Sequence, residues 1–370
     1  MKYRIAACVL FLVALSSYAQ TEQWEFRFGP RFWGATAAGR YMIEPPTVEG
    51  VETSITGLLS AAYERVGYYR APDGSLFTSP ADGTDADATA FNRFDLIWQA
   101  GVQQGILPRT DSTSDAAVAF LLYRGQYDLP FRDDARLFFA SGLPETDGSL
   151  RGSVVGGLAY SVTTVDAITR VKSGVAGELA LEWGPSFLHN RVLGAADYNR
   201  TTISARGFLP LYDVPARDGR NVFSSYLAGF GVLDWATGPE IPQIIRQSTG
   251  GRSVRSAPGG SVRGYGSGRF DSTLKIIGNV EVRANLPAIV LPQIIPGIVI
   301  YTDTGYFLDE QEVSPSSEEN SGFLLSSGAG FYLDLFDTAE FVFYTNYLWT
   351  EPDVEGGRWV PFSLGFGFHY

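Results

Sequence analysis

One arginine in a glycine-rich stretch is surrounded by residue types that suit ion pairing. Gly259 to Gly266 reads Gly-Gly-Ser-Val-Arg-Gly-Tyr-Gly, with Arg263 near its centre. Glu281 lies 18 positions after Arg263, and Asp303 lies 40 positions after it. A guanidinium is always charged, is planar and can engage two carboxylates at once. We therefore predict that Arg263 sits at the tip of a bent loop and pairs with both carboxylates, and that the glycines allow the bend.

Residues suited to catalysis or metal binding are few. His189 and His369 are the two histidines of the chain, and Ser363 shares a face with His369 on the last predicted strand. No motif places an acidic partner beside them, so a serine hydrolase triad is not indicated. The run from Asp82 to Asp87 resembles a calcium loop but lacks the closing Glu. We therefore predict that the chain is not an enzyme and has neither a metal site nor a cofactor.

Alternation of apolar and polar residues predicts the strands that position the two carboxylates. A period of two is the signature of a strand. In the segment around Glu281 the two faces are apolar (Leu274, Ile276, Val280, Val282, Ala284, Leu286) and polar (Lys275, Asn279, Glu281, Arg283, Asn285). Asp303 shares a face with Tyr301 and Gly305 in a second such segment. Both carboxylates are thus expected on the polar side of neighbouring strands.

Strand length and composition favour a membrane barrel over a soluble sandwich. Many predicted strands have about ten residues or more, which is the length that a tilted strand needs to cross lipid. Aromatic residues make up 14% of the chain and cluster near strand ends, as in interfacial girdles. A sheet in lipid has to close, because every backbone group must pair. The prediction is an all-β transmembrane antiparallel β-barrel with a long loop folded into the lumen; sixteen strands fit the length well, and fourteen remain open.

The N-terminus has the pattern of a secretory signal peptide. Lys2 and Arg4 precede an apolar run from Ile5 to Leu15, and Ser17–Ala19 gives a small-x-small cleavage site. We predict a signal peptide over residues 1–19, cleavage near Ala19, and a barrel over residues 20–370. The formal net charge of −12 argues against a nucleic-acid partner.

The last strand carries a second targeting pattern. Residues 362–370 alternate strictly, with Phe368 and the terminal Tyr370 on the apolar face. Gly365, Phe368 and Tyr370 resemble the assembly signal of bacterial outer-membrane proteins, although Leu364 stands where a polar residue is usual. The expected location is the bacterial outer membrane, in contact with its lipid.

Three segments together resemble the BamA-type superfamily of outer-membrane assembly and secretion barrels, also called bacterial surface antigen proteins. They are Val262-Arg263-Gly264-Tyr265, then Gly278 to Arg283, then Tyr301 to Gly305. The resemblance implies a 16-stranded barrel whose sixth external loop folds into the lumen and whose loop arginine contacts acidic residues on the inner wall. Arg263 would take that place, with Glu281 and Asp303 as its partners.

The resemblance leaves two functions open. Relatives that insert or secrete proteins usually carry periplasmic POTRA modules, and none fits before the strand pattern that begins at Trp24. The first hypothesis is a barrel that assembles, inserts or translocates proteins or lipids together with periplasmic or outer-membrane partner proteins. The second is a passive pore or structural barrel subunit of a larger complex.

Overall fold

One large antiparallel sheet dominates the computed structural model of this chain. The structure describes residues 17–20, 24–31, 34–48, 51–66, 91–108, 116–131, 148–166, 169–215, 221–266, 272–289, 294–308, 321–335, 339–350 and 357–368. Its strands are β1 Ser17–Gln20, β2 Trp24–Arg31, β3 Gly34–Val48, β4 Val51–Val66, β5 Phe91–Leu107, β6 Ala117–Phe131, β7 Ser149–Ser161, β8 Thr164–Val165, β9 Lys172–Gly184, β10 Asp197–Pro215, β11 Asn221–Glu240, β12 Ser248–Thr249, β13 Arg255–Ser256, β14 Leu274–Asn285, β15 Ile294–Leu308, β16 Ser321–Leu335, β17 Ala339–Leu348 and β18 Trp359–Phe368.

The strands follow one another across the sheet in chain order. Fourteen of the described strands in this sheet have eight residues or more, and each pairs antiparallel with its neighbours. The short β1 pairs with β2, and the two-residue β8 pairs with β9. The predicted all-β antiparallel architecture is confirmed. Within the described ranges, no helix is long and apolar enough to cross a membrane.

The two faces of the sheet differ sharply in polarity. One face, here called the inner face, carries buried polar side chains such as Glu182, Lys275, Arg283 and Asn285. The opposite, outer face of β9 and β14 carries large apolar side chains that are 41% to 57% exposed: Val175, Leu179, Leu181, Trp183, Ile276, Val280 and Val282. This distribution is the reverse of a soluble core and suits a sheet whose outside meets lipid.

The connection between β11 and β14 packs against the inner face. We call the described residues 241–266 and 272–273 the inner loop; it contains the one-turn helices α1 (Gln243–Arg246) and α2 (Pro258–Ser261) and the β12–β13 pair. Its first part packs Ile241 and Ile245 against a buried apolar cluster that includes Tyr198. Such short helices have little stability of their own. Their conformation therefore depends on the strands that they contact.

A second connection also points inward, at the opposite end of the strands. The turn between β7 and β9 is described over residues 162–166 and 169–171. Its Thr169 is buried, and the Thr169 carbonyl accepts hydrogen bonds from Ser224 Oγ at 2.7 Å and Asn285 Nδ2 at 3.0 Å. The Asp166 carboxylate accepts from the Thr169 amide at 2.7 Å. The turn therefore bridges from β7–β9 to β11 and β14.

Several sequence predictions fall at the limits of the described residues. Strand β1 spans the proposed cleavage site near Ala19, while residues 1–16 lie outside the described ranges. Gly365 and Phe368 lie in β18, where they pair with Val342 and Ala339 of β17. Tyr370 and the Asp82–Asp87 run lie outside the described residues. The signal peptide and the C-terminal assembly signal remain predictions.

Candidate functional site

Arg263 contacts both carboxylates that the sequence singled out. Its Nε and Nη2 donate to the two oxygens of Asp303 at 2.6 and 2.7 Å, and its backbone N–H donates to Asp303 Oδ2 at 3.0 Å. Its Nη1 lies 2.6 Å from Glu281 Oε1. The Asp303 side chain is fully buried, whereas Glu281 is partly exposed. We call Arg263, Glu281 and Asp303 the arginine clamp.

Aromatic rings complete the surroundings of the Arg263 guanidinium. Its central carbon lies 3.4 Å from the ring centre of Tyr301 and 5.2 Å from that of Tyr344. Cation–π contacts of this kind add to the ion pairs. Burial alone lowers the pKa of Arg263, but the hydrogen bonds and charge of Asp303, together with the charge of Glu281, outweigh it and raise the pKa. The guanidinium is therefore always charged in the folded chain.

The neighbours of Arg263 in the motif form an apolar anchor. Val262 is fully buried and Tyr265 nearly so, and both pack with Phe307, Leu324 and Leu348 from β15, β16 and β17. This cluster excludes water from one side of the clamp. It thereby fixes where the loop backbone crosses the inner face.

Polar contacts and backbone geometry set the path beyond Arg263. Gly264 has a φ of 94°, a conformation that suits glycine. The Tyr265 hydroxyl lies 2.6 Å from Thr350 Oγ1 and donates to the Leu325 carbonyl at 3.2 Å. The four motif residues thus have separate tasks: two apolar anchors, one charge and one turn.

Gly305 provides the space in which the motif docks. A Cβ atom at this position would lie 2.8 Å from Val262 Cγ2 and 3.2 Å from Pro258 Cβ. We therefore expect Gly305→Ala to destabilise the protein by about 1–3 kcal/mol, because overpacking displaces the loop. The measurement is the temperature at which the band shift on a heat-modifiable gel occurs. Gly229→Ala is the control, since a Cβ there has no described neighbour within 4 Å; equal shifts for both variants would contradict this prediction.

The clamp continues into a chain of alternating charges. Glu281 Oε2 accepts from Arg283 Nε at 2.9 Å, and the two terminal nitrogens of Arg283 donate to Glu340 on β17 at 2.7 Å each. The series Asp303, Arg263, Glu281, Arg283 and Glu340 thus links β15, the inner loop, β14 and β17. Alternation places Arg283 on the polar face of β14, but no sequence pattern indicates its pairing with Glu340.

A second polar cluster holds the first part of the inner loop. Asp234 on β11 pairs with Arg200 Nε at 2.9 Å and with Lys275 Nζ at 2.9 Å, and the side chains of all three are fully buried. The Gly250 amide donates to Asp234 Oδ2 at 2.7 Å. Lys275 Nζ also donates to the Ser248 carbonyl of the loop at 2.7 Å. We call Asp234, Arg200 and Lys275 the buried triad.

Glu182 and Arg124 extend this network to β6 and β9. Glu182 lies 3.3 Å from Arg124 Nη1 and 3.8 Å from Arg200 Nη1. Arg124 Nη2 donates to the carbonyls of Gly251 and Arg252 at 2.5 and 3.0 Å. The inner loop is therefore fixed at two places, by the arginine clamp near its end and by these charges near its start.

For the buried triad, the sequence offered only the alternation of polar and apolar residues along each strand. Arg200, Asp234 and Lys275 belong to three strands, and no spacing motif joins them. Among the described residues, no group of three or more His, Cys, Asp and Glu side chains could hold a metal ion. The arrangement binds and orients a loop, and its chemistry is ion pairing.

Comparisons with known proteins find the fold but no sequence relative. No family profile matches the sequence, and no curated protein matches it either. The crystal structure of BamA from Haemophilus ducreyi lacking POTRA domains 1–3 superposes with a TM-score of 0.54, over 94% of this chain and 64% of that chain, at 11% identity. The chain has a BamA-type fold. CdiB from Acinetobacter baumannii is also similar, with a TM-score of 0.45 and 13% identity over 92% of this chain and 50% of that chain.

The BamA-type fold extends further along the chain than the sequence motif does. The superposition with BamA covers 94% of the chain, including the N-terminal half, where the sequence offered only a general strand pattern. The chain spans less than two thirds of the BamA chain that it matches. At 11% identity the likeness establishes the fold alone.

Proposed function

We propose that this chain is an outer-membrane barrel that helps to assemble, insert or translocate proteins or lipids, with the inner loop as an internal lock. The arginine clamp is the observation that carries the proposal. The tip of the loop makes several specific contacts. Arg263 pairs with the fully buried Asp303 and with Glu281, and Val262 and Pro258 pack closely against Gly305. A loop that merely filled space would not require paired charges, since apolar side chains fill space at lower desolvation cost.

The outer face supports a membrane location. Large apolar side chains such as Leu181, Val280 and Ile300 are more than half exposed, which is unfavourable in water and favourable in lipid. The strands from β3 to β18 have 10 to 20 residues, except for the two-residue strands β8, β12 and β13. Strands of 10 to 20 residues are long enough to cross a bilayer when tilted. The lipid of the outer membrane is therefore the proposed environment of this face.

In this proposal the lock keeps the sheet in one shape until a client or a partner protein displaces the loop. The clamp joins β14 and β15 through the loop, so moving the loop breaks the ion pairs of Arg263 with Glu281 and with Asp303 together. Gly365 and Gly367 contribute no side chain to β18, which stands at the end of the described sheet order. We propose that a periplasmic or outer-membrane partner protein takes part in displacing the loop.

Depletion and complementation in the native host test this function. We expect depletion of the protein to lower the abundance of other outer-membrane proteins or lipids, measured by quantitative mass spectrometry of purified outer membranes. Wild-type protein should restore them, and Arg263→Ala should restore them incompletely at equal folded level. Arg252→Ala is the matched control, because it removes an arginine from the same loop at a more exposed ion pair. An unchanged outer membrane after depletion would refute the proposal.

A passive pore is the second candidate function. Among the described residues, a cavity of about 570 Å³ lies beside the inner loop and another of about 410 Å³ lies beside the turn between β7 and β9, and charged residues line both. In planar bilayers a passive pore would show steady conductance that Arg263→Ala leaves unchanged. Closed or flickering channels that open when Arg263 is replaced would favour the lock instead.

A further inference from the structure

The larger cavity lies between the inner loop and the strands β3 to β11. It has a volume of about 570 Å³ and is lined by polar and charged side chains, including Arg40, Gln99, Glu178, Arg206 and Arg255. The chain as a whole carries a net charge of −12, yet the lining contains more guanidinium groups than carboxylates. The local charge of the cavity thus has the opposite sign to that of the whole chain.

Two of the arginines in the cavity already have carboxylate partners. Arg40 Nη2 lies 2.7 Å from Glu52 Oε2. Arg252 Nε lies 2.7 Å from Glu178 Oε2, and its backbone amide occupies the other oxygen of Glu178 at 2.7 Å. Neither of these carboxylates is therefore free to neutralise another cation fully.

Arg206 and Arg255 differ from these two. Within the described part of the chain, neither side chain makes a hydrogen bond or an ion pair with a carboxylate, and both are exposed to the open space. Guanidinium groups carry five donors each in a fixed fork. Ten donor hydrogens in one cavity therefore remain for a ligand or for water.

Both arginines lie beside the same aromatic residue, Phe230. Arg206 on β10 lies directly opposite Phe230 on β11 in the strand register. The central carbon of Arg255 lies 4.8 Å from the ring centre of Phe230. Partial burial and the charge of Arg206 lower the pKa of Arg255, while Glu178 acts in the other direction. Two like charges that act on each other and line the same partly enclosed space favour the binding of an anion in that space.

Arg206 also borders the smaller cavity. That space of about 410 Å³ is lined by Lys172, Arg206, Phe208 and Tyr226 among others. Lys172 Nζ lies 5.8 Å from the ring centre of Phe208, which follows Arg206 on the same face of β10. Cations thus continue along the inner face from one cavity to the next, with Arg206 at the boundary.

We propose that Arg206 and Arg255 form a binding site for a phosphate group inside the sheet. A tetrahedral oxyanion accepts two hydrogen bonds from each guanidinium fork, which satisfies donors that the protein leaves open. The shared chemistry is the phosphate group, either as a free inorganic anion or as the headgroup of a lipid. The site is separate from the arginine clamp, so its failure would leave the proposed function untouched.

Calorimetric titration of the full-length protein in detergent micelles at low ionic strength tests the site. One arm uses inorganic phosphate, and the other uses short-chain dihexanoyl phosphatidate. We expect saturable binding in at least one arm, weakened about tenfold by Arg255→Gln and further by Arg206→Gln/Arg255→Gln, because each substitution removes a charge-assisted contact. Binding of inorganic phosphate identifies a free-anion site, and binding of phosphatidate alone identifies a lipid-headgroup site.

Arg358→Gln is the matched control, because it removes one exposed arginine outside the cavity. Heat-modifiable migration verifies that each variant is folded; Arg206 and Arg255 are exposed, so their replacement should leave folding intact. The proposal is overturned by an absence of saturable binding in both arms. It is equally overturned by affinities that Arg255→Gln and Arg358→Gln reduce to the same extent.

Discussion

Arg263→Ala is expected to lower the free energy of unfolding by about 3–5 kcal/mol, the usual effect of breaking a buried ion pair. The substitution leaves the Asp303 carboxylate fully buried, with the backbone N–H of residue 263 as its remaining donor from the loop. It also removes the cation that rests on the Tyr301 ring. Urea titration of the detergent-solubilised protein, followed by tryptophan fluorescence, measures the change.

Two further variants separate the buried charge from the loss of a side chain. Arg263→Ala/Asp303→Asn should recover part of the stability, because a neutral amide costs less to bury than an unpaired carboxylate. Arg252→Ala removes an arginine that is 36% exposed and should cost about 1 kcal/mol or less. Equal losses for Arg263→Ala and Arg252→Ala would show that the clamp contributes no more than a surface ion pair.

Asp234→Asn is expected to have an effect of similar size, about 3–5 kcal/mol, at the other end of the inner loop. The change preserves the shape of the side chain but removes the negative charge that Arg200 and Lys275 share. Both cations are fully buried, so they cannot turn to solvent. We expect the first part of the loop to detach from β11.

Limited trypsin digestion of the native protein measures that detachment. Arg255 is exposed in the loop, and cleavage after it should accelerate strongly in Asp234→Asn. Glu178→Gln is the control, because it breaks the partly exposed pair with Arg252 and leaves the buried triad intact. Slow cleavage of Asp234→Asn, at the rate of wild type, would mean that the triad does not hold the loop.

The alternation of polar and apolar residues predicted the all-β fold class and which strand residues face inward, and one motif predicted a docked loop. In β14 the side chains of Lys275 and Arg283 are buried while Ile276 and Val280 are exposed, as the period of two required. The all-β fold class is confirmed on the same basis. The pairing of Arg263 with Glu281 and Asp303 was implied by the family resemblance, and the polar face on which each acidic residue lay agreed with it; the structure contains both ion pairs.

The buried triad could not be predicted in this way. Arg200 and Asp234 are 34 positions apart on paired strands, and Lys275 comes from a third strand. Alternation tells which side chains face inward, but every second residue of fourteen long strands does so. Which inward charges meet depends on register and on the path of the loop, and neither leaves a signature in the sequence. The inward turn at Thr169 escaped prediction for the same reason.

The Thr169 turn also has a consequence for the order in which the chain assembles. Its two donors, Ser224 and Asn285, come 55 and 116 positions later in the sequence. Bringing such distant partners together costs loop-closure entropy that the later strands must first offset. Residues of the turn come early in the chain, but the turn gains its full set of hydrogen bonds only after β14 has joined the sheet. A chain interrupted before Asn285 would leave Thr169 without one of its donors, so protection of this turn from proteolysis can time the arrival of β14 during folding.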